Sequence, residues 1–234
     1  MPVIAFANPK GGAGKTTAAL LLASELASRG AEIVIVDADP ERWISQWGQL
    51  PGKPDNIRIV SEVTEDSIID QIADAAEAAQ FVIIDLEGTA SLMVANAIGM
   101  SDLVVIPTQG GSMDAKGAAK TIRLIKNQER MARRSIAYGV LMTRTSAAVT
   151  SRSLRNVGRQ MREAGIPIFA TPIVERAAYR DIFDYGGLLS DLPADNVSNL
   201  DKARANAAAF VADVIRRLRD PGTGRAAARE AEVA

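Results

Sequence analysis

The chain has 234 residues, 47% of them apolar, which is enough for a substantial core and a single expected domain over 1–219. It contains no cysteine and no histidine, which excludes disulfides, thiolate nucleophiles, iron–sulfur clusters, ordinary zinc sites and imidazole acid–base chemistry. The net charge of −1 conceals an asymmetry: Lys and Arg number 6 against 16 acids in residues 1–114, and 19 against 9 in residues 115–219. A basic half of this kind suits a surface that attracts a polyanion.

No apolar run approaches the roughly 20 residues that a bilayer span needs, and Met1 to Lys10 lacks the pattern of a cleavable leader. The expectation is a soluble, cytoplasmic protein without a membrane partner.

In chain order, Val3 to Asn8 reads as a short apolar strand and Thr16 to Arg29 as an amphipathic helix, with Asn8-Pro9-Lys10-Gly11-Gly12-Ala13-Gly14-Lys15-Thr16-Thr17 between them. Glycines at the mouth of a helix let the main chain wrap around phosphate oxygens. The free N–H groups and the helix dipole then point at one spot. Lys15 adds a mobile positive charge and Thr16 a hydroxyl for Mg²⁺, so Gly11, Gly12, Ala13, Gly14, Lys15, Thr16 and Thr17 are expected to bind a nucleotide.

Ile33 to Asp37 and Phe81 to Asp85 are apolar, largely β-branched runs that each deliver an acid at the carboxyl end, as buried parallel strands do. Leu103 to Pro107, Ile136 to Met142 and Ile168 to Ala170 read as further strands, with helices around 67–79, 113–131, 150–164 and 198–218. The alternation predicts an α/β fold with a doubly wound, mostly parallel sheet flanked by helices and ligands beyond the carboxyl ends of the strands. The stretch 48–56 reads as a loop and 220–234 as a disordered tail.

Asp85 ends its strand where a carboxylate would hold the magnesium water shell. Asp37 and Asp39 stand two apart before Pro40, so both suit the same site, one for magnesium water and one to orient the attacking water. The alternative for each is a turn or capping aspartate.

The motif departs from the standard phosphate loop in having Pro9 in place of the first glycine and a second lysine, Lys10, at the loop entrance. In this it resembles the deviant Walker A loop of the ParA/MinD ATPases, and most closely the small plasmid-partition ParA proteins; the resemblance runs through most of 2–218. It implies a P-loop NTPase using ATP/ADP and Mg²⁺, a homodimer in the ATP-bound state, and Lys10 reaching the partner's nucleotide. It also implies Asp39 positioning water and Thr143, Arg144, Pro172 and Val174 near the adenine. Asp114 falls in the family's dimer-facing segment, whereas Asp85-Leu86-Glu87-Gly88-Thr89 departs from the Asp-x-Pro-Pro of many members. A ParB-like centromere-binding or adaptor protein is the expected activator. With its first strand starting near Met1, the chain is not expected to carry an N-terminal operator-reading extension.

From Lys116 to Arg162 there are twelve basic residues and one acid, Glu129. Lys116, Lys120, Arg123, Arg130 and Arg134 fall at helical spacing on one face, and Arg152, Arg155, Arg159 and Arg162 on another helix. Two such stripes suit nonspecific contacts to the phosphates of double-stranded DNA, and the scarcity of aromatics argues against base stacking on single strands. The resemblance adds nucleoid association. The rival readings are a solvated charged face, a MinD-like membrane-surface ATPase, and a small-molecule phosphotransferase or ligase resembling dethiobiotin synthetase.

Overall fold

The computed structural model describes residues 1–89, 91–147, 151–195 and 197–220. Of the disordered tail expected over 220–234, residues 221–234 lie outside the described residues.

Strands β1 (Val3–Phe6), β2 (Ile33–Ala38), β3 (Ile57–Val60), β4 (Phe81–Leu86), β5 (Leu103–Thr108) and β6 (Ala137–Met142) form one sheet in the order β3-β2-β4-β1-β5-β6. Every neighbouring pair is parallel. The helices are α1 (Lys15–Ala27), α2 (Trp43–Trp47), α3 (Ile68–Ala78), α4 (Leu92–Met100), α5 (Ser112–Ala132), α6 (Arg152–Glu163), α7 (Ala178–Tyr185) and α8 (Leu200–Arg219).

Alternate strand residues feed two cores, as a sheet buried on both faces requires. Ile4, Phe6, Ile33, Ile35, Ile83, Leu103 and Val105 pack with α1, α2, α7 and α8. On the other face, Val3, Ala5, Val34, Val36, Ile84 and Val104 pack with α3, α4, α5 and α6. In this second layer α3 neighbours α4, α4 neighbours α5, and α5 neighbours α6. The doubly wound parallel sheet expected from the sequence is therefore present.

Chain connectivity reverses at β1, which lies between β4 and β5. Its carboxyl end opens on the crevice where doubly wound sheets take their ligands.

Several local expectations are corrected. The first helix is not amphipathic: Ala18 to Ser24 are all buried, because α1 lies between the sheet and α8. Residues 168–170 form no strand; Ile168 makes only an isolated bridge to Val140. The β6 edge there is covered by Arg217, whose guanidinium donates to Tyr138 O and Ile168 O and lies 4.6 Å from the centre of the Phe169 ring. Helix α5 ends at Ala132, so Arg134 does not belong to its face. Strand β3 and helices α2, α4 and α7 were not anticipated.

Candidate nucleotide site and basic face

The phosphate loop leaves β1 at the reversal point and enters α1 at Lys15. Gly14, at the helix N-cap with φ +95°, and Gly12, with φ +72°, adopt left-handed backbone that a Cβ would strain. Asn8 is buried and sets the first turn: its Nδ2 donates to Pro107 O at 2.6 Å while its Oδ1 accepts from Lys10 N at 2.9 Å. Lys15 is only 5% exposed, Thr16 is half-buried, and Gly11 and Gly12 are exposed. Loop carbonyls are held from below, Gly12 O by Gln109 Nε2 and Ala13 O by Thr143 Oγ1, both at 2.7 Å. The β4–α4 connection reaches the loop at Gly88, which lies against Gly11.

The signature lysine is occupied. Lys10 Nζ lies 2.7 Å from Asp114 Oδ1, with the Asp114 side chain buried at the start of α5.

The acids stand at the same end of the sheet. Asp37 and Asp85 are register partners across β2 and β4, and Asp85 is also the partner of Phe6 on β1. Asp85 is completely buried, and neither of its oxygens has a hydrogen bond of good geometry. Burial pushes its carboxyl up to about 8, with the Thr16 hydroxyl and the Lys15 charge pulling the other way and Asp37 and Asp39 adding to the rise. Asp37 accepts from Ser45 N at 2.8 Å and from Ser45 Oγ at 2.5 Å through Oδ2, and its buried Oδ1 has no partner. Burial also raises its pKa. Asp39 is half-buried, with Oδ1 accepting from Glu41 N at 3.0 Å.

Orphaned, desolvated carboxylate oxygens beside a threonine hydroxyl are the donor set of a hard cation, so Thr16 and Asp85 fit Mg²⁺. No group of three acids converges to hold a metal among the described residues. Asp37 is the weaker metal candidate, because one oxygen is committed to Ser45.

The residues expected near the adenine are brought to the same rim with different duties. Thr143 is buried and spends its hydroxyl on the loop, while Arg144 beside it is exposed with φ +50°. Thr145 bridges Val174, and Asn206 on α8 holds Val174 N and Pro172 O.

Lys116, Lys120, Arg123 and Arg130 are exposed along α5, and Arg152, Arg155, Arg159 and Arg162 along the neighbouring α6. Arg134 instead donates to Gly99 O and Ser101 O at the end of α4. The acids Asp70, Asp74 and Glu77 are exposed on α3, at the far end of the same layer. A cavity of about 240 Å³ between α4 and α5 is lined by Pro9, Thr89, Val94, Lys120, Arg123 and Leu124 among others.

Sequence reasoning did not find Asn8, Ser45, Gln109 or the Lys10–Asp114 pair. Asn8 alone carried a local signal, an amide directly before a Pro-Lys-Gly-Gly turn.

This fold and loop define a P-loop ATPase of the ParA/MinD type. The model of the VirC1 protein family matches residues 1–216, and the chain belongs to that family. It is 38% identical to Protein ParA of Rhizobium radiobacter, over 93% of this chain and 98% of that protein. Protein virC1 of Rhizobium rhizogenes is 28% identical over 80% of this chain and 83% of its own length. Among solved structures, a Cyanothece McdA variant in complex with ATP superposes with a TM-score of 0.74 at 18% identity, covering 92% of this chain and 96% of that one.

Proposed function

We propose that this ATPase is a nucleotide-gated dimerisation switch that binds nonspecific double-stranded DNA when dimeric and thereby positions a plasmid or another cargo. The observation that carries this reading is the union of the two sites on α5. That helix holds Lys10 at its first turn through Asp114 and displays Lys116, Lys120, Arg123 and Arg130 along its length.

In this reading the N–H groups of residues 11–17 and Lys15 hold the ATP phosphates, and Thr16 and Asp85 hold magnesium. Asp37 stays at the edge of that shell, and Arg144, Pro172 and Val174 border the base. Magnesium, when bound, neutralises phosphate charge. Lys10 leaves Asp114 to reach the partner's nucleotide, and Asp39 orients water for hydrolysis to ADP and phosphate. With no histidine in the chain, catalysis rests on positioning and charge stabilisation. A ParB-like partner would accelerate a slow intrinsic rate and release the dimer from the nucleoid. The positioning role finds support in relatives named as a ParA protein and as proteins that maintain carboxysome distribution.

The experiment is binding to random-sequence duplex DNA with ATP, ADP or no nucleotide across a salt series, with Lys15→Ala as control. ATP-dependent, salt-sensitive binding that the variant loses is the expected result. Absence of binding in every nucleotide state would discard the DNA part of the reading.

A further inference from the structure

A phosphate loop works only if its N–H groups face the anion, which requires its carbonyls to face away. Glycine-rich backbone does not enforce this by itself, because Gly12 and Gly14 have unusually wide conformational freedom. In this chain two consecutive loop carbonyls are captured by side chains from elsewhere in the sheet. Gln109, just past β5, donates to Gly12 O, and Thr143, just past β6, donates to Ala13 O.

The peptide bonds here are all trans, and in a planar trans peptide the C=O and the next N–H point in opposite directions. Holding Gly12 O therefore fixes the direction of the Ala13 N–H, and holding Ala13 O fixes that of the Gly14 N–H. Neither N–H has a protein acceptor among the described residues. Thr143 is also packed beside Gly14, its Cβ 3.5 Å from where a Gly14 side chain would begin.

We propose that Gln109 and Thr143 are positioning residues that clamp the Gly12 and Ala13 carbonyls and so aim the Ala13 and Gly14 N–H groups at the nucleotide phosphates. The proposal rests on the nucleotide-binding reading above and gives Thr143 a role beneath the phosphates, in place of the adenine contact expected for it. Neither side chain needs to touch the ligand. Each lowers the cost of organising the loop before the nucleotide arrives.

The test uses the full chain and MgATP and MgADP as probes, with dissociation constants and thermal midpoints measured for the wild type, Gln109→Leu, Thr143→Val and Thr143→Ser. Gln109 is only partly buried, so its variant is expected to fold. Gln109→Leu and Thr143→Val should each weaken both nucleotides roughly tenfold, a larger effect than the small fall in thermal midpoint that losing one hydrogen bond brings, and Thr143→Ser should restore near-wild-type affinity and midpoint. Wild-type affinity in both hydroxyl- and amide-deleted variants overturns the clamp alone. So does a loss that follows a fall in thermal midpoint and that serine does not repair. A wild-type chain that binds neither nucleotide overturns the nucleotide reading and the clamp with it.

Discussion

Lys10 and Asp114 form an ion pair at 2.7 Å that joins the mouth of the phosphate loop to the first turn of the helix bearing the longer basic stripe. A lysine so held is not available to a second subunit, and the Asp114 carboxylate competes with any phosphate for the same ammonium. Asp114→Asn should therefore lower the protein concentration at which half the chains dimerise in MgATP, by about threefold to tenfold for a partly exposed pair. Lys10→Ala should abolish dimerisation while retaining MgATP binding. Sedimentation at graded concentrations reads both, and an unchanged dimer constant for Asp114→Asn would show that the pair exerts no restraint.

Asp85 makes the nucleotide-free protein sensitive to pH. Its folded pKa, pushed up to about 8, lies above the value near 3.9 of an unfolded aspartate, so the folded state holds a proton that the unfolded state releases. That contribution is complete below pH 4 and disappears as pH rises through 8; the raised Asp37 acts in the same direction. Asp85→Asn removes the ionisation and should raise the melting temperature at pH 8 by about 5 °C or more, with little change at pH 4. Equal shifts at both pH values would sink the argument.

The same carboxyl must be ionised to serve magnesium. Metal binding should release a proton, and the apparent Mg²⁺ affinity in the presence of ATP should rise by up to about tenfold per pH unit between 6 and 8. Calorimetry in two buffers of different ionisation enthalpy would detect the proton, and a buffer-independent heat would count against it.

Basic residues should sort by what they touch. Lys120→Ala or Arg152→Ala should reduce the slope of log affinity for duplex DNA against log salt by about one each, with stability unchanged. Arg134→Ala should leave the slope alone and instead destabilise by about 1–2 kcal/mol, because it strips donors from the Gly99 and Ser101 carbonyls. A full unit of slope lost in Arg134→Ala would return that residue to the DNA face.

Gly117 offers a steric check on how α5 sits against the loop. A Cβ there would stand 2.7 Å from Asn8 Oδ1, the acceptor for Lys10 N. Gly117→Ala should weaken MgATP binding severalfold even though alanine favours the helix by about 1 kcal/mol. Tighter or equal binding would show that the loop absorbs the intrusion freely.

The parts legible in the sequence were those whose signal is short. The phosphate loop lies within ten residues, and β2, β4 and β5 announce themselves as strands buried on both faces, each presenting its acid or its turn at the same end. Helices α1 and α4 lack a polar face, so periodicity misdescribes the first and passes over the second. Strand β3 is brief and lies at an edge behind a proline-rich loop. The clamp was beyond reach for a different reason. Gln109 lies 97 residues from Gly12 and Thr143 lies 130 from Ala13, and no local pattern encodes pairings made by the order of strands in a sheet.

The order α3, α4, α5, α6 within one helical layer separates acids from bases along a single line across the molecule. Charges parted in this way across the layer would feel a torque in the field of the duplex DNA proposed as partner before any contact is made. On the proposed reading such a protein would approach DNA with α5 and α6 leading and α3 trailing. Fewer collisions are wasted on the wrong face, and the advantage fades as dissolved ions shorten the reach of the field.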